Sequence, residues 1–259
     1  MLRAQPLPQL LCLPHAGGSA VMFHPWRARF ADAARVVPVE LPGHGGRRAE
    51  PIVRDFDALV ELLAGELAAV VDGPYVLFGH SFGSLLAAAL ARGLPERTGH
   101  APLALAVSGR NGPSVPHPRA PLHNAPAEEL LRGLRALQGS LPGVEQSPEL
   151  LAIFLPPLRA DLEMAETYRW PPHAPLPCPV RAVAGDLDPL VDEAGLAAWQ
   201  RETTGPCQVA RVPGGHMILD SPGLHRCLDG LLTRTAPLVR RGTPLPPSPN
   251  PQETSWTSN

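Results

Sequence analysis

Apolar residues recur along this chain in two rhythms. Short apolar runs near Leu10, Val36, Tyr75, Leu103, Val180 and Gln208 read as strands, and between them stretches near Val21, Phe56, Phe82, Glu193 and Pro222 carry apolar residues at helical spacing. Such alternation predicts an α/β architecture, a mostly parallel central sheet flanked by helices. No internal repeat of solenoid period is present. The segment Gly112 to Pro175 breaks the alternation. In it, Pro126 followed by Glu128 and Glu129 opens a helix whose Leu130, Leu131, Leu134 and Leu137 share a face. Ser147-Pro148-Glu149 carries the N-cap and first-turn signature of a second helix, with an apolar face through Leu151, Phe154, Leu155 and Leu158. The pattern therefore predicts one domain, residues 1–234, with a core of 1–111 and 176–234 and a helical lid insertion at 112–175. Residues 235–259, rich in proline and poor in apolar side chains, are expected to form a disordered tail.

One junction in this pattern carries chemistry. The strand-like run Tyr75 to Phe78 leads into Gly79-His80-Ser81-Phe82-Gly83, and an Ala/Leu helix follows at once. A serine on a tight strand-to-helix turn has its hydroxyl thrust clear of the backbone, and glycines two positions before and after remove Cβ atoms that would collide there. A hydroxyl at its free pKa is a poor nucleophile, so a histidine must take its proton and an acid must hold that histidine. In the α/β-hydrolase fold these partners follow in the order Ser, acid, His, each after a late strand. Here the strand Val180 to Ala184 leads to Gly185-Asp186-Leu187-Asp188-Pro189, and the strand Gln208 to Val212 leads to Pro213-Gly214-Gly215-His216. Of ten histidines, His216 alone combines a late position, a glycine lead-in and a preceding strand. Between the two aspartates, Asp188 is favoured as the acid, because Asp186 sits where a carboxylate bonds the amides of its own turn. Donors for a tetrahedral oxyanion are expected from the Phe82 amide, at the start of its helix, and from the Ala16 amide in Pro14-His15-Ala16-Gly17-Gly18, after the first strand.

Taken together these residues resemble the type II (external, editing) thioesterases that accompany polyketide and nonribosomal peptide synthases. The resemblance covers about Gln9 to Leu232 and is carried by LCLPHAGGSA from Leu11, VELPGHGGR from Val39, FGHSFGSLLA from Phe78, CPVRAVAGDLDPLV from Cys178 and GGHMIL from Gly214. LRADLEMAETYRW from Leu158 is the segment most distinctive of that family. It implies an α/β-hydrolase fold, a catalytic triad of Ser81, Asp188 and His216, and oxyanion amides at Ala16 and Phe82. It further implies hydrolysis of acyl thioesters from the phosphopantetheine arm of an acyl or peptidyl carrier protein, by a monomer without cofactor. The family often has Met after the serine; Phe82 here is expected to alter pocket shape, since the donor is a backbone N–H. A small-ester carboxylesterase or lipase would use the same residues without a carrier partner, and a hydrolase-fold binding protein would lack an intact nucleophile, acid and base.

Composition narrows the field. All 22 basic residues are arginine and the net charge is only −2, with no basic stripe for nucleic acid. No apolar run approaches the ~20 residues of a membrane span, and the first residues lack a signal-sequence core, so a cytoplasmic enzyme is expected. Cys12, Cys178, Cys207 and Cys227 show no Cys-x-x-Cys spacing and read as reduced, buried small hydrophobes rather than a metal site. His80 is expected to pack under the serine turn, and His44 to lie in a loop at the rim. Arg47 and Arg48 are candidates to meet an acidic carrier protein.

Overall fold

The computed structural model describes residues 7–137 and 146–241, with the side chains of all but 238–241. Six strands, β1 (Gln9–Leu13), β2 (Arg35–Pro38), β3 (Tyr75–His80), β4 (Ala104–Ser108), β5 (Val180–Gly185) and β6 (Cys207–Val212), lie in the order β2-β1-β3-β4-β5-β6, and every pairing is parallel. The helices are α1 (His24–Arg29), α2 (Phe56–Ala68), α3 (Phe82–Thr98), α4 (Ala127–Ala136), α5 (Pro148–Thr167), α6 (Glu193–Ala197) and α7 (Pro222–Arg241), with short 3-10 turns between some of them.

Period-two alternation divides the strand residues between two cores. Leu11, Leu13, Tyr75, Leu77, Leu105, Val107, Val180 and Ala182 face α2, α3 and α5. Leu10, Cys12, Val76, Phe78, Ala104 and Ala106 face Phe23, Trp26 and Phe30 around α1, and Leu224, Leu228 and Leu231 of α7. Both faces are covered, so β1, β3 and β4 are buried at every position, as continuous apolar runs in a parallel sheet require. The edge strand β6 is largely solvated.

Strand order positions the site. From β1 the chain moves outward to β2, then returns to the other side of β1 to lay down β3. The connections after β1 and β3 therefore diverge, leaving a crevice beyond their carboxyl ends, where open α/β sheets bind ligands. The Ala16 loop and Ser81 flank that crevice.

The two helices expected inside the insertion are α4 and α5. Glu128 and Glu129 occupy the first turn of α4, and the Ser147 hydroxyl oxygen caps α5 by accepting from the Leu150 amide. The expected tail boundary needs correction. Helix α7 continues past Leu232 to Arg241, with Thr235 buried and its hydroxyl donating to the Leu232 carbonyl. Continued helical pairing and the burial of Thr235 overrode the composition that suggested a chain end. Residues 242–259 of that tail lie outside the described residues. Among the described residues, no helix is long and apolar enough to cross a membrane.

Candidate active site

Ser81 sits between β3 and α3 with φ 55° and ψ −114°, the only non-glycine positive φ among the described residues. A conformation of that kind costs about 1–3 kcal/mol and persists only where surroundings over-determine it. Here the Ser81 amide donates to the Ser108 carbonyl of β4 at 2.7 Å, and the Ser84 hydroxyl lies 3.0 Å from the carbonyls of both Gly79 and Ser108. The flanking glycines are needed for contact rather than freedom. A Cβ on Gly79 would stand 2.0 Å from the Gly83 carbonyl oxygen, and one on Gly83 would stand 2.3 Å from the Leu13 oxygen and 2.5 Å from the Pro14 oxygen. The second close approach seats the loop after β1 directly against the start of α3.

Loops after β5 and β6 bring the acid and the base to Ser81. His216 Nδ1 is 2.9 Å from Asp188 Oδ2, and His216 Nε2 is 3.0 Å from Ser81 Oγ. A carboxylate only accepts, so Nδ1 carries the ring proton, Nε2 presents a lone pair and the serine O–H donates to it. Asp188 and His216 are both buried, and the second Asp188 oxygen accepts from the Leu190 amide at 2.9 Å. Asp186 faces elsewhere: its carboxylate accepts from the Gly214 amide at 2.9 Å and so braces the loop that carries His216. The structure thus joins Asp188, and not Asp186, to the imidazole.

Neither the Ala16 nor the Phe82 amide has an acceptor among the described residues, although the loop and helix that carry them are in contact. Residues 109–111 and 115–118, the latter in the first part of the insertion, line a slot beside Ser81 that Leu190 closes. Arg110, Val115, Pro116 and His117 are shared with a neighbouring cavity of about 160 Å³ that reaches Tyr168 and Trp170 at the end of α5. Arg110 is held there by a hydrogen bond to the Ala165 carbonyl at 2.9 Å.

His80 lies under the turn, fully buried, with Nδ1 2.8 Å from the Ser108 hydroxyl and its ring 5.2 Å from that of His216. Burial, and then the neighbouring His216 and His15, push its pKa well down, so it stays neutral beside the working imidazole. Arg47 is not available to a partner as expected. Its guanidinium reaches Glu50 at 2.6 Å, Glu66 at 2.7 Å and the Glu40 carbonyl at 3.1 Å, whereas Arg48 is exposed and has no partner among the described residues. His44 is no rim residue. It is buried, 2.9 Å from the carboxylate of Asp161 on α5, a contact across 117 positions that no local pattern announces. The one available signal was a charged residue on the apolar stretch of α5, in the segment that most marks the family.

The family model described as Thioesterase domain matches residues 8–229. The chain belongs to the thioesterase domain family. It is a thioester-hydrolysing enzyme with the α/β-hydrolase fold. It is 38% identical over 237 residues to the thioesterase PikA5 of Streptomyces venezuelae, covering 90% of this chain and 84% of the relative. It is also 38% identical over 211 residues to the probable cadicidin biosynthesis thioesterase of Streptomyces griseus, covering 82% of this chain and 58% of that longer protein. Among solved structures, the type II thioesterase BorB from the borrelidin biosynthetic cluster superposes with a TM-score of 0.79 at 40% identity, covering 88% of this chain and 96% of BorB.

Proposed function

We propose that this thioesterase hydrolyses acyl groups from the phosphopantetheine arm of an acyl or peptidyl carrier protein, clearing stalled or misprimed units in polyketide or nonribosomal peptide synthesis. The observation that carries this reading is the unbroken hydrogen-bond line from Asp188 through His216 to Ser81 at the sheet's switch point, in a chain of the thioesterase domain family. Relatives named as type II thioesterases support the carrier-bound substrate.

In the proposed reaction His216 Nε2 takes the Ser81 proton as Oγ attacks the thioester carbonyl. The Ala16 and Phe82 amides, free of other acceptors, hold the oxyanion. As the tetrahedral species collapses the C–S bond breaks, and His216 returns its proton to the departing sulfur. Thiols have a pKa of about 8.5, so sulfur leaves more readily than an alkoxide. Water enters, gives its proton to His216, and attacks the acyl-Ser81 carbonyl; collapse returns the proton to Oγ and frees the acid. Asp188 stabilises the imidazolium formed in each half. The slot beside Ser81, only about 20 Å³, shares four wall residues with the cavity of about 160 Å³ that receives the acyl group, and the insertion at 112–175 acts as a lid that excludes water.

The test compares acyl-carrier-protein thioesters with aryl esters of the same acyl group. The carrier substrate is expected to give the higher kcat/KM, and Ser81→Ala to lose both turnover and covalent labelling by a serine-directed phosphonate. An enzyme that turns over the aryl ester faster and gains nothing from the carrier is a general carboxylesterase. Hydrolysis persisting in Ser81→Ala removes the nucleophile.

A further inference from the structure

The peptide that joins Ala16 to Gly17 is held at both ends. Its N–H donates to Asp161 Oδ2 at 2.8 Å, and its carbonyl accepts from His15 Nδ1 at 2.9 Å. Gly17 has φ +71°, and a Cβ there would meet Leu158 and Phe154 of α5 at 3.0 to 3.2 Å, so the helix lies flat on this peptide. Asp161 reaches the loop from inside the insertion and is buried. The same oxygen, Oδ2, is 2.9 Å from His44 Nε2, while His44 Nδ1 is 2.9 Å from the Pro42 carbonyl.

Hydrogen-bond chemistry fixes the protons. A carbonyl only accepts, so His44 Nδ1 carries a hydrogen. Asp161 Oδ2 already accepts from the Gly17 amide, and a second donor at Nε2 makes the ring an imidazolium facing a carboxylate. A neutral ring would require a proton on the oxygen that also receives Gly17 N–H, and that geometry serves both neighbours badly. Burial by itself lowers the His44 pKa, but the Asp161 bond and charge, the Pro42 carbonyl and Glu40 outweigh it, and the net direction is upward. His15, the other ring near Asp161, is held neutral by burial.

We propose that Asp161 and His44 form a buried positioning pair through which helix α5 of the insertion sets the oxyanion loop, so that the Ala16 amide is aimed only while α5 is docked on Gly17. This rests on the proposed role of the Ala16 amide, and not on the identity of the acyl carrier. Neither residue touches the reacting atoms. Asp161 fixes the next peptide in the loop, and His44 supplies the counter-charge that lets a carboxylate stay buried there. The groups facing His44 are Asp161 from α5, with Glu40 and the Pro42 carbonyl from the loop after β2; those facing Asp161 are His44 and His15.

Asp161→Asn tests the pair. One oxygen serves both donors, so an amide can keep Gly17 only by facing the ring with no counter-charge. Misaiming an oxyanion donor costs on the order of 10²-fold in rate, so kcat should fall about 10- to 100-fold while KM changes little. His44→Gln keeps a donor toward Asp161 and removes the titration. It should retain more activity than Asp161→Asn and lose the alkaline fall in kcat that His44 gives the wild type. All three proteins are assayed on an aryl ester as well as on acyl-carrier thioester, so that the result stands even if the carrier proves irrelevant. Thermal unfolding of each protein separates rate from folding. A folded Asp161→Asn with unchanged kcat, or one whose loss lies entirely in KM, overturns the proposal. So does an alkaline limb that survives unaltered in His44→Gln, which is the deciding variant if Asp161→Asn does not fold.

Discussion

Two aspartates, two positions apart, have been given different work by the direction each faces. Asp188 meets His216 Nδ1, and Asp186 meets the Gly214 amide in the loop leading to that histidine. Asp188→Asn should lower kcat by about 10⁴-fold, the loss seen when a serine hydrolase's imidazole is left in the wrong tautomer. Asp186→Asn keeps an oxygen for Gly214 and should lose far less. Steady-state turnover of the two variants decides the matter, and the larger loss in Asp186→Asn would exchange their roles. Asp188 was preferred on the expectation that residue 186, just after its strand, would bond the amides of its own turn; its carboxylate instead accepts from Gly214, 28 positions away, so the choice was legible but its reason was not. His44 was not legible. Its neighbours in sequence are glycines and prolines of a loop, and only the arrival of α5 supplies a charge that makes it a buried ion-pair member.

At the scale of elements, the site is a set of close approaches between strand ends. The turn into α3 has no room for a side chain where it meets the loop after β1, because Gly83 stands against the Leu13 and Pro14 carbonyls. Backbone cannot yield as a flexible side chain can, so Gly83→Ala should destabilise the fold by about 1–3 kcal/mol, as overpacking typically does. It should also depress turnover beyond what the lost stability explains, since the shift moves the Ala16 loop away from Ser81. Urea unfolding alongside kcat checks both; a stable, fully active variant would show that the loop has slack. Strand and helix positions were readable from periodicity, and the two glycines of the elbow from the motif. The extent of α7 was not, because it runs on into the proline-bearing stretch that reads as a tail, and only the packed helix shows Thr235 buried with its hydroxyl on the Leu232 carbonyl.

For the molecule as a whole, buried histidines of opposite sign set the response to pH. His44 has its folded pKa raised above the unfolded value of about 6.5, so the folded state holds that proton more tightly. Its contribution is fully present below that value and is lost as pH rises through the folded pKa. His80 and His15 have theirs lowered, chiefly by burial, so the unfolded state binds more protons below about 6.5 and stability falls as the solution is acidified. Between pH 5 and 8.5 the histidines therefore give a stability maximum near the unfolded value, with His80 and His15, joined by His117 and the more exposed His173, acting on the acid side and His44 on the alkaline side. Urea unfolding across that interval should show the peak, and His44→Gln should flatten only its alkaline slope. Wild-type stability that keeps climbing to pH 8.5 would refute the assignment of charge to His44.

What the sequence determined by itself was whatever depends on neighbours along the chain: the alternation of strand and helix, the elbow around Ser81, the order in which acid and base arrive, and the family resemblance those segments carry. Local stereochemistry and side-chain period fix these without reference to distant residues. The tertiary structure decided which oxygen meets which nitrogen. It sent Asp188 to His216 and Asp186 to Gly214, occupied Arg47 with Glu66, and brought Asp161 across 117 positions to His44. Hydrogen bonds and buried charges act over a few ångströms. Only packing of the completed sheet and helices brings such groups within reach, and no window of sequence contains both partners.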